Sequence, residues 1–343
     1  MRALVLQEFG RMAVEERDTP TPKAGEVLIA VTATGICGSD VHGFTGENGR
    51  RIPGQVMGHE SVGKVAGFGP DTPSGGLAID AVVTFNPVVV TGQDAKTYAG
   101  REQHSPNKTV IGVATDISAA FADYVVVPVQ NVVALPADLP ISHGALIEPL
   151  AVAVHAVRRV RAEKGQKALV IGGGPIGQSA VLALRMEGVA DIVVSEVDEN
   201  RRLLCARIGA TVVDPKDGSV VDQVRATFGQ LADVTIDAVG ITPTIADALN
   251  ATAFGGSVCL VGMGARTLSL DAFRISTEER SLVGSFTYSA QDFRDAASWV
   301  ASSPPELGEL ISREVPLDEA NDAFVGLAKG DGTAGKVLVR FDS

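Results

Sequence analysis

The chain has 343 residues, 45% of them hydrophobic and 5% aromatic, with a formal net charge of −12. That length predicts two domains with ordinary cores. The acidic balance argues against nucleic acid or an anionic membrane as partner, because both select a basic surface.

Ala3–Leu6 and Val27–Thr34 read as strands on either side of Pro20–Thr21–Pro22, and Val62–Gly69 and Ala81–Phe85 continue the pattern. Short strands punctuated by Gly and Pro predict a β-barrel-like first domain. A loop between two such strands is expected to hold Gly35–Ile36–Cys37–Gly38–Ser39–Asp40–Val41–His42, with an echo at Gly58–His59–Glu60. Together these offer a thiolate, an imidazole and a carboxylate, the donor types of an open, catalytic zinc site. Ser39 and His42 lie beside the thiolate, so a proton path can start there. Asp40 is a candidate partner for a ligating imidazole. Residues 86–120 are polar and irregular and predict a lobe or long loop, after which Tyr124–Pro128 and Val132–Leu135 return to strand.

Ser142 reads as the N-cap of a short helix. Glu148–Pro149 reads as a break, with a new helix over Pro149–Arg161. Glu148 is then free to point into a cleft. His155 reads as packed within that helix.

The character changes at Lys167. The apolar run Ala168–Ile171 predicts a strand buried on both faces of a parallel sheet. It ends in Gly172–Gly173–Gly174–Pro175–Ile176–Gly177, which fits G-x-G-x-x-G, with Gly172, Gly174, Ile176 and Gly177 as candidate cofactor-binding residues. A helix over Gln178–Glu187, a strand at Asp191–Ser195 and then Glu196 complete a dinucleotide-binding unit. The glycines let the backbone approach a pyrophosphate, and Glu196 accepts from the adenosine ribose. A carboxylate there repels a 2′-phosphate, favouring NAD over NADP, although Arg201 and Arg202 stand close enough to accommodate one. Further βα units follow at Thr211–Val213, Val234–Val239 and Ser257–Val261, with another strand at Ser281–Phe286. A helix at Asp318–Lys329 and a strand at Lys336–Phe341 close the chain. Of the three cysteines, Cys205 and Cys259 read as core. Three are too few for a disulfide framework, which predicts a reducing, cytoplasmic setting. No signal peptide is read, and no apolar run reaches the ~18 residues of a membrane span.

These motifs, in this order and spacing, resemble the zinc-dependent medium-chain dehydrogenases, particularly the polyol (sorbitol/xylitol-type), butanediol and threonine dehydrogenase branch. The resemblance rests on Gly35–His42, Gly58–Glu60, Glu148–Val152 and Gly172–Gly177. It implies an α/β chain: a GroES-like β-barrel catalytic domain from residues 1–152 and 287–343, with a Rossmann doubly wound parallel-sheet domain, 153–286, inserted between them. It implies zinc on Cys37 and His59, with Glu60, Glu148 or water completing the shell. Ser39 and His42 fall on the proton relay, and Glu196 and Arg201 on the ribose side. Val261, Gly262 and Met263, with Ser285, Phe286 and Thr287, fall on the nicotinamide side.

Two departures stand out. Many members hold a structural zinc on four cysteines; here Thr91, Asp94, Thr97 and Ser105 occupy that spacing, so one catalytic zinc per chain is expected and no structural one. Polyol enzymes place a substrate-contacting arginine before a tyrosine, whereas this chain reads Thr287–Tyr288, and Gly43 replaces an aromatic after His42. The expected activity is reversible hydride transfer between NAD(H) and a secondary alcohol, polyol or sugar-like hydroxyl, in a homodimer or homotetramer. The alternatives are a threonine-type amino-alcohol or vicinal-diol dehydrogenase, a zinc-free reductase of the quinone reductase kind, and a catalytically silent dinucleotide-binding protein.

Overall fold

The computed structural model describes residues 1–47, 49–115 and 119–341, so the lobe expected over 86–120 lies partly outside the described residues. The chain divides into two compact units, Met1–Glu148 with Ser289–Ser343, and Pro149–Tyr288.

The first unit opens with β1 (Arg2–Glu8) and β2 (Arg11–Glu16), an antiparallel pair. β2 escapes a reading by apolar runs because only Met12 in it is buried. In β3 (Glu26–Gly35) burial alternates along much of the strand, as a sheet with one core-facing side requires. The metal-type motif that follows is not a loop: α1 (Gly38–Phe44) starts directly after Cys37. The Asp40 carboxylate accepts from the Cys37 N–H at 3.2 Å, satisfying an amide that a loop would leave to water. β4 (Glu60–Phe68) pairs with β3, and β5 (Val82–Phe85) with β4.

The lobe is more ordered than its composition suggests. β6 (Val88–Val89) and β7 (Thr109–Val110) pair across it, and α2 (Gly92–Thr97) lies between them. The Ser105 hydroxyl donates to Asp94 at 2.7 Å and the Asn107 amide at 3.0 Å, linking two of the four positions Thr91, Asp94, Thr97 and Ser105. Glu102 accepts from the N–H groups of Gly100 and Ala290, at 2.8 and 3.0 Å. β8 (Tyr124–Pro128) returns to pair with β3, and β9 (Val132–Ala134) with β5.

Ser142 is not an N-cap. It lies inside a 3-10 turn, Ile141–Leu146, that runs into α3 (Ile147–Arg159). Pro149 therefore does not begin the helix: it is tolerated in the first turn, where N–H groups have no intrahelical partner. Glu148 is buried in that first turn rather than standing at a break.

The second unit is a six-stranded parallel sheet. Its strands are β10 (Lys167–Ile171), β11 (Asp191–Ser195), β12 (Thr211–Val213), β13 (Ala232–Asp237), β14 (Thr252–Leu260) and β15 (Ser281–Gly284). They lie in the order β12-β11-β10-β13-β14-β15. Helices connect them: α4 (Pro175–Met186), α5 (Glu199–Arg207), α6 (Val220–Phe228), α7 (Thr242–Ala251) and α8 (Ala272–Thr277). β14 starts five residues before the expected Ser257, its first half sparsely buried and so without an apolar run. Ala168, Leu169 and Val170 are fully buried, as a central parallel strand demands. His155, Cys205 and Cys259 are buried, as read from sequence.

The chain then re-enters the first unit through α9 (Ala290–Ala301), β16 (Ile311–Pro316), α10 (Ala320–Lys329) and β17 (Lys336–Arg340). β17 pairs with β3, so strands from both chain ends share one seven-stranded sheet. Phe44, Phe121 and Phe324 meet in its core, with ring centroids 5.5 and 5.6 Å apart. The fold class is that of a GroES-like domain with a Rossmann-type parallel sheet. Among the described residues no helix is long and apolar enough to cross a membrane.

Candidate functional site

Register explains the first cluster. Gly35 at the end of β3 faces Glu60 at the start of β4. Cys37, two residues beyond Gly35, is thereby brought to His59 and Glu60. Ligand atoms of the three all lie within 4.8 Å of one another. Cys37 is half-buried, and His59 and Glu60 are buried.

A second layer surrounds them. Asp40 is fully buried, with one oxygen 3.6 Å from His59 Nδ1 and 3.5 Å from the Arg51 guanidinium. Burial pushes the Asp40 carboxyl above its ordinary range, against the opposing pull of His59 and Arg51. Burial presses His59 the other way, but Asp40, Cys37 and Glu148 outweigh it and the imidazole is pushed up to about 10. Arg51 occupies its place because residue 43 is glycine: a Cβ there would overlap the Arg51 side chain.

Two residues of this layer were missed in the sequence. Lys336, at the start of β17, is buried; its ammonium pairs with Glu60 Oε1 and lies 3.4 Å from the Ile36 carbonyl. Burial lowers this lysine, yet Glu60 and Cys37 more than offset it and the net direction is up. Arg51 is the other. The available signal was a lysine heading the apolar run Val337–Val339, a charge inside a core-strand pattern.

The other oxygen of Glu60, Oε2, is buried and has no hydrogen-bond partner among the described residues. An orphaned carboxylate oxygen beside a thiol and an imidazole fits a cation. Glu148 is not among the three clustered ligands, although its charge acts on both His59 and Lys336. Ser39 and His42 lie three residues apart on α1, a spacing that shares one helix face. His42 is exposed, with Nδ1 2.9 Å from Glu47.

The second unit gathers its predicted residues differently. Ile171 pairs in register with Ser195 and Asp237, Asp237 with Leu260, and Leu260 with Gly284. The strands therefore end level, and Gly172, Glu196, Val261 and Ser285 are the next residues along one carboxyl edge. Ligands bind parallel α/β sheets at that edge. Gly174 precedes α4 with Pro175 in its first turn, and a Cβ at Gly177 would overlap the Gly172 carbonyl. The Glu196 carboxylate accepts from the Gly173 N–H at 2.6 Å and the Asp198 N–H at 2.8 Å. Arg201 reaches past Gly174: a Cβ placed there would stand 3.7 Å from Nη1. The N–H groups of Val261 and Gly262 both donate to the Asp237 carbonyl, at 3.0 and 2.9 Å, and Met263 is exposed. Phe286 is exposed, while Thr287 holds a left-handed φ of 52°, strained for a β-branched residue.

Comparison with known proteins agrees with both regions. The alcohol dehydrogenase GroES-like domain matches residues 23–137, and the zinc-binding dehydrogenase model matches residues 175–302. The chain is 33% identical over 318 residues to the 2-dehydro-3-deoxy-L-galactonate 5-dehydrogenase of Pseudoalteromonas atlantica, covering 92% of this chain and 91% of that one. It is 30% identical to the sorbitol dehydrogenase of Ovis aries over 346 residues, 99% and 96% of the two chains. A Sinorhizobium meliloti structure bound to NADP superposes with a TM-score of 0.90 at 31% identity, over 99% of each chain. The chain belongs to the zinc-type medium-chain dehydrogenase/reductases, in their polyol branch, and is a dehydrogenase of alcohol groups that works with a nicotinamide cofactor.

Proposed function

We propose that this enzyme is an NAD-preferring dehydrogenase of a secondary hydroxyl on a polyol or sugar acid, with one catalytic zinc held by Cys37, His59 and a carboxylate from Glu60 or Glu148. The observation that carries the reading is the convergence of a thiol, an imidazole and a carboxylate whose ligand atoms lie within 4.8 Å of one another, the carboxylate being one that keeps a buried oxygen without a hydrogen-bond partner among the described residues. The substrate class rests on the relatives, named for a sugar acid and for sorbitol. The unit formed from both chain ends is read as the catalytic domain and Pro149–Tyr288 as the dinucleotide-binding domain. A homodimer or homotetramer in the cytoplasm is the assembly we expect, and the three free cysteines suit a reducing compartment.

Zinc bound there supplies the Lewis acidity that lowers the pKa of a substrate hydroxyl. The protein's own groups then manage the proton. Ser39 would relay it, Oγ accepting the hydroxyl proton as its own O–H proton moves on toward His42, and His42 would release it to solvent, since it is exposed and Glu47 fixes its Nδ1 side. Asp40 orients His59 from behind, with Arg51 holding Asp40 in turn. Glu196 accepts from the adenosine ribose and disfavours a 2′-phosphate.

Elemental analysis of protein purified without added metal tests the reading. About one zinc per chain supports it. None, with alcohol oxidation intact, overturns the metal mechanism in favour of the zinc-free reductase. Two would place a second ion elsewhere, in conflict with the lobe of Thr91, Asp94, Thr97 and Ser105. A panel of polyols and sugar acids, followed by NADH absorbance, tests the substrate class.

A further inference from the structure

Two arginines follow the ribose acid, and they are not equivalent. Arg201 reaches past Gly174 of the glycine loop. Arg202 is already committed: its Nη1 donates to the Glu196 carbonyl at 2.8 Å and lies 2.9 Å from a carboxylate oxygen of Asp214. Both partners of that ion pair are largely buried, with side chains 19% and 14% exposed. Asp214 follows β12, one strand away from β11, and its other oxygen accepts from the Lys216 N–H at 2.9 Å. Lys216 sends its ammonium back to the Val197 carbonyl at 3.2 Å. The stretch after Glu196 thus has three cations around it, and Asp214 neutralises the one tied to the Glu196 backbone.

We propose that Asp214 is a cofactor-specificity residue: by holding Arg202 in an ion pair it withholds from this edge of the sheet a cation that would otherwise receive a 2′-phosphate. Resting on the reading that the glycine loop and Glu196 hold a dinucleotide, this adds a second determinant to the carboxylate that repels the phosphate. Glu196 supplies repulsion, and Asp214 removes attraction. A guanidinium freed of its carboxylate makes charge-assisted bonds to phosphate. Arg202 is tethered through the Glu196 carbonyl, so it is close to the residue that faces the ribose.

The test uses the full-length protein and two nucleotides, 5′-AMP and 2′,5′-ADP, with dissociation constants from calorimetry, which needs no turnover. Asp214→Asn keeps the acceptor oxygen for the Lys216 N–H and removes only the charge. The native chain should prefer 5′-AMP. In Asp214→Asn, 2′,5′-ADP should bind about tenfold more tightly, the worth of one charge-assisted hydrogen bond, with 5′-AMP affected less than about twofold. The ratio of kcat/KM for NADP over NAD should rise in step. Adding Arg202→Met to Asp214→Asn should cancel the gain. A purely structural role for Asp214 would weaken both nucleotides together. An unmoved ratio, or a gain that survives Arg202→Met, overturns the proposal. If Asp214→Asn does not fold, Arg202→Met alone decides: unchanged 2′,5′-ADP binding supports the proposal, and weakened binding means that Arg202 already reaches the phosphate. Native protein that binds neither nucleotide would instead sink the dinucleotide reading on which this rests.

Discussion

The metal-type cluster and the glycine loop are built on opposite principles. The cluster joins residues 37, 40, 51, 59, 60, 148 and 336, which only strand pairing and the return of the chain end bring together. It concentrates buried charge and leaves a carboxylate oxygen unsatisfied. The glycine loop is assembled from one continuous run, Lys167 to Val213, and the Glu196 carboxylate beside it is already satisfied by two backbone N–H groups. One region is unsaturated without a cation. The other is prefolded, its backbone N–H groups at Gly172 and Gly173 already bonded to Ser195 and Glu196. Substitutions should therefore behave differently in the two.

The largest effect is expected at the cluster. Cys37→Ala removes the thiolate donor and should lower zinc content below half an equivalent and kcat/KM by about a thousandfold, roughly 4 kcal/mol of transition-state stabilisation. Calorimetric binding of NAD should be unaffected, because the glycine loop does not depend on the thiol. Loss of nucleotide binding in this variant would erase the contrast between the regions. Lys336→Met comes next. It leaves Glu60 buried beside the cluster without its ammonium partner, and breaking a buried pair costs about 3 kcal/mol. Urea unfolding of metal-free protein measures it. A cost under ~1 kcal/mol, the range of a surface ion pair, would mean that the cluster does not rest on this long-range charge.

The same contrast governs what the sequence makes legible. The glycine loop could be read because its parts are consecutive: an apolar strand, G-x-G-x-x-G, a helix, a second strand and Glu196. Cys37, His59 and Glu60 could be read as a donor set because their residue types are rare together. Their supports could not. Lys336 is remote from Glu60 in the chain, and only the β17–β3 pairing brings them together. Arg51 lies in an exposed-looking polar stretch, yet its side chain is 1% exposed beneath α1. The fold class is legible from period and punctuation, whereas α1 is not, because two glycines around Cys37 suggest a turn. Asp40, which bonds the Cys37 N–H, is what turns that stretch into a helix.

Smaller effects sharpen the comparison. Glu196→Gln keeps one acceptor but turns an amide NH₂ toward one of the Gly173 and Asp198 N–H donors. Losing one charge-assisted bond predicts NAD binding weaker by about tenfold, near 1.4 kcal/mol. Zinc content should stay at the native value, the mirror image of Cys37→Ala.

The smallest expected effect lies in the lobe, which belongs to neither region. Ser105 and Asn107 both donate to the same oxygen of Asp94, joining the end of the lobe to α2 without any thiol. Ser105→Ala removes the shorter of the two bonds and leaves Asp94 served by Asn107. Because Asp94 is near the surface, water replaces much of what is lost, and the cost should be about 1 kcal/mol or less. Thermal unfolding should register it as a small drop in midpoint, with kcat and KM unchanged. A loss of activity in this variant would tie the lobe to the reacting cluster after all. A loss of zinc would show that Ser105 and Asp94 belong to an oxygen-lined metal site, where the bonds between them are only the metal-free arrangement.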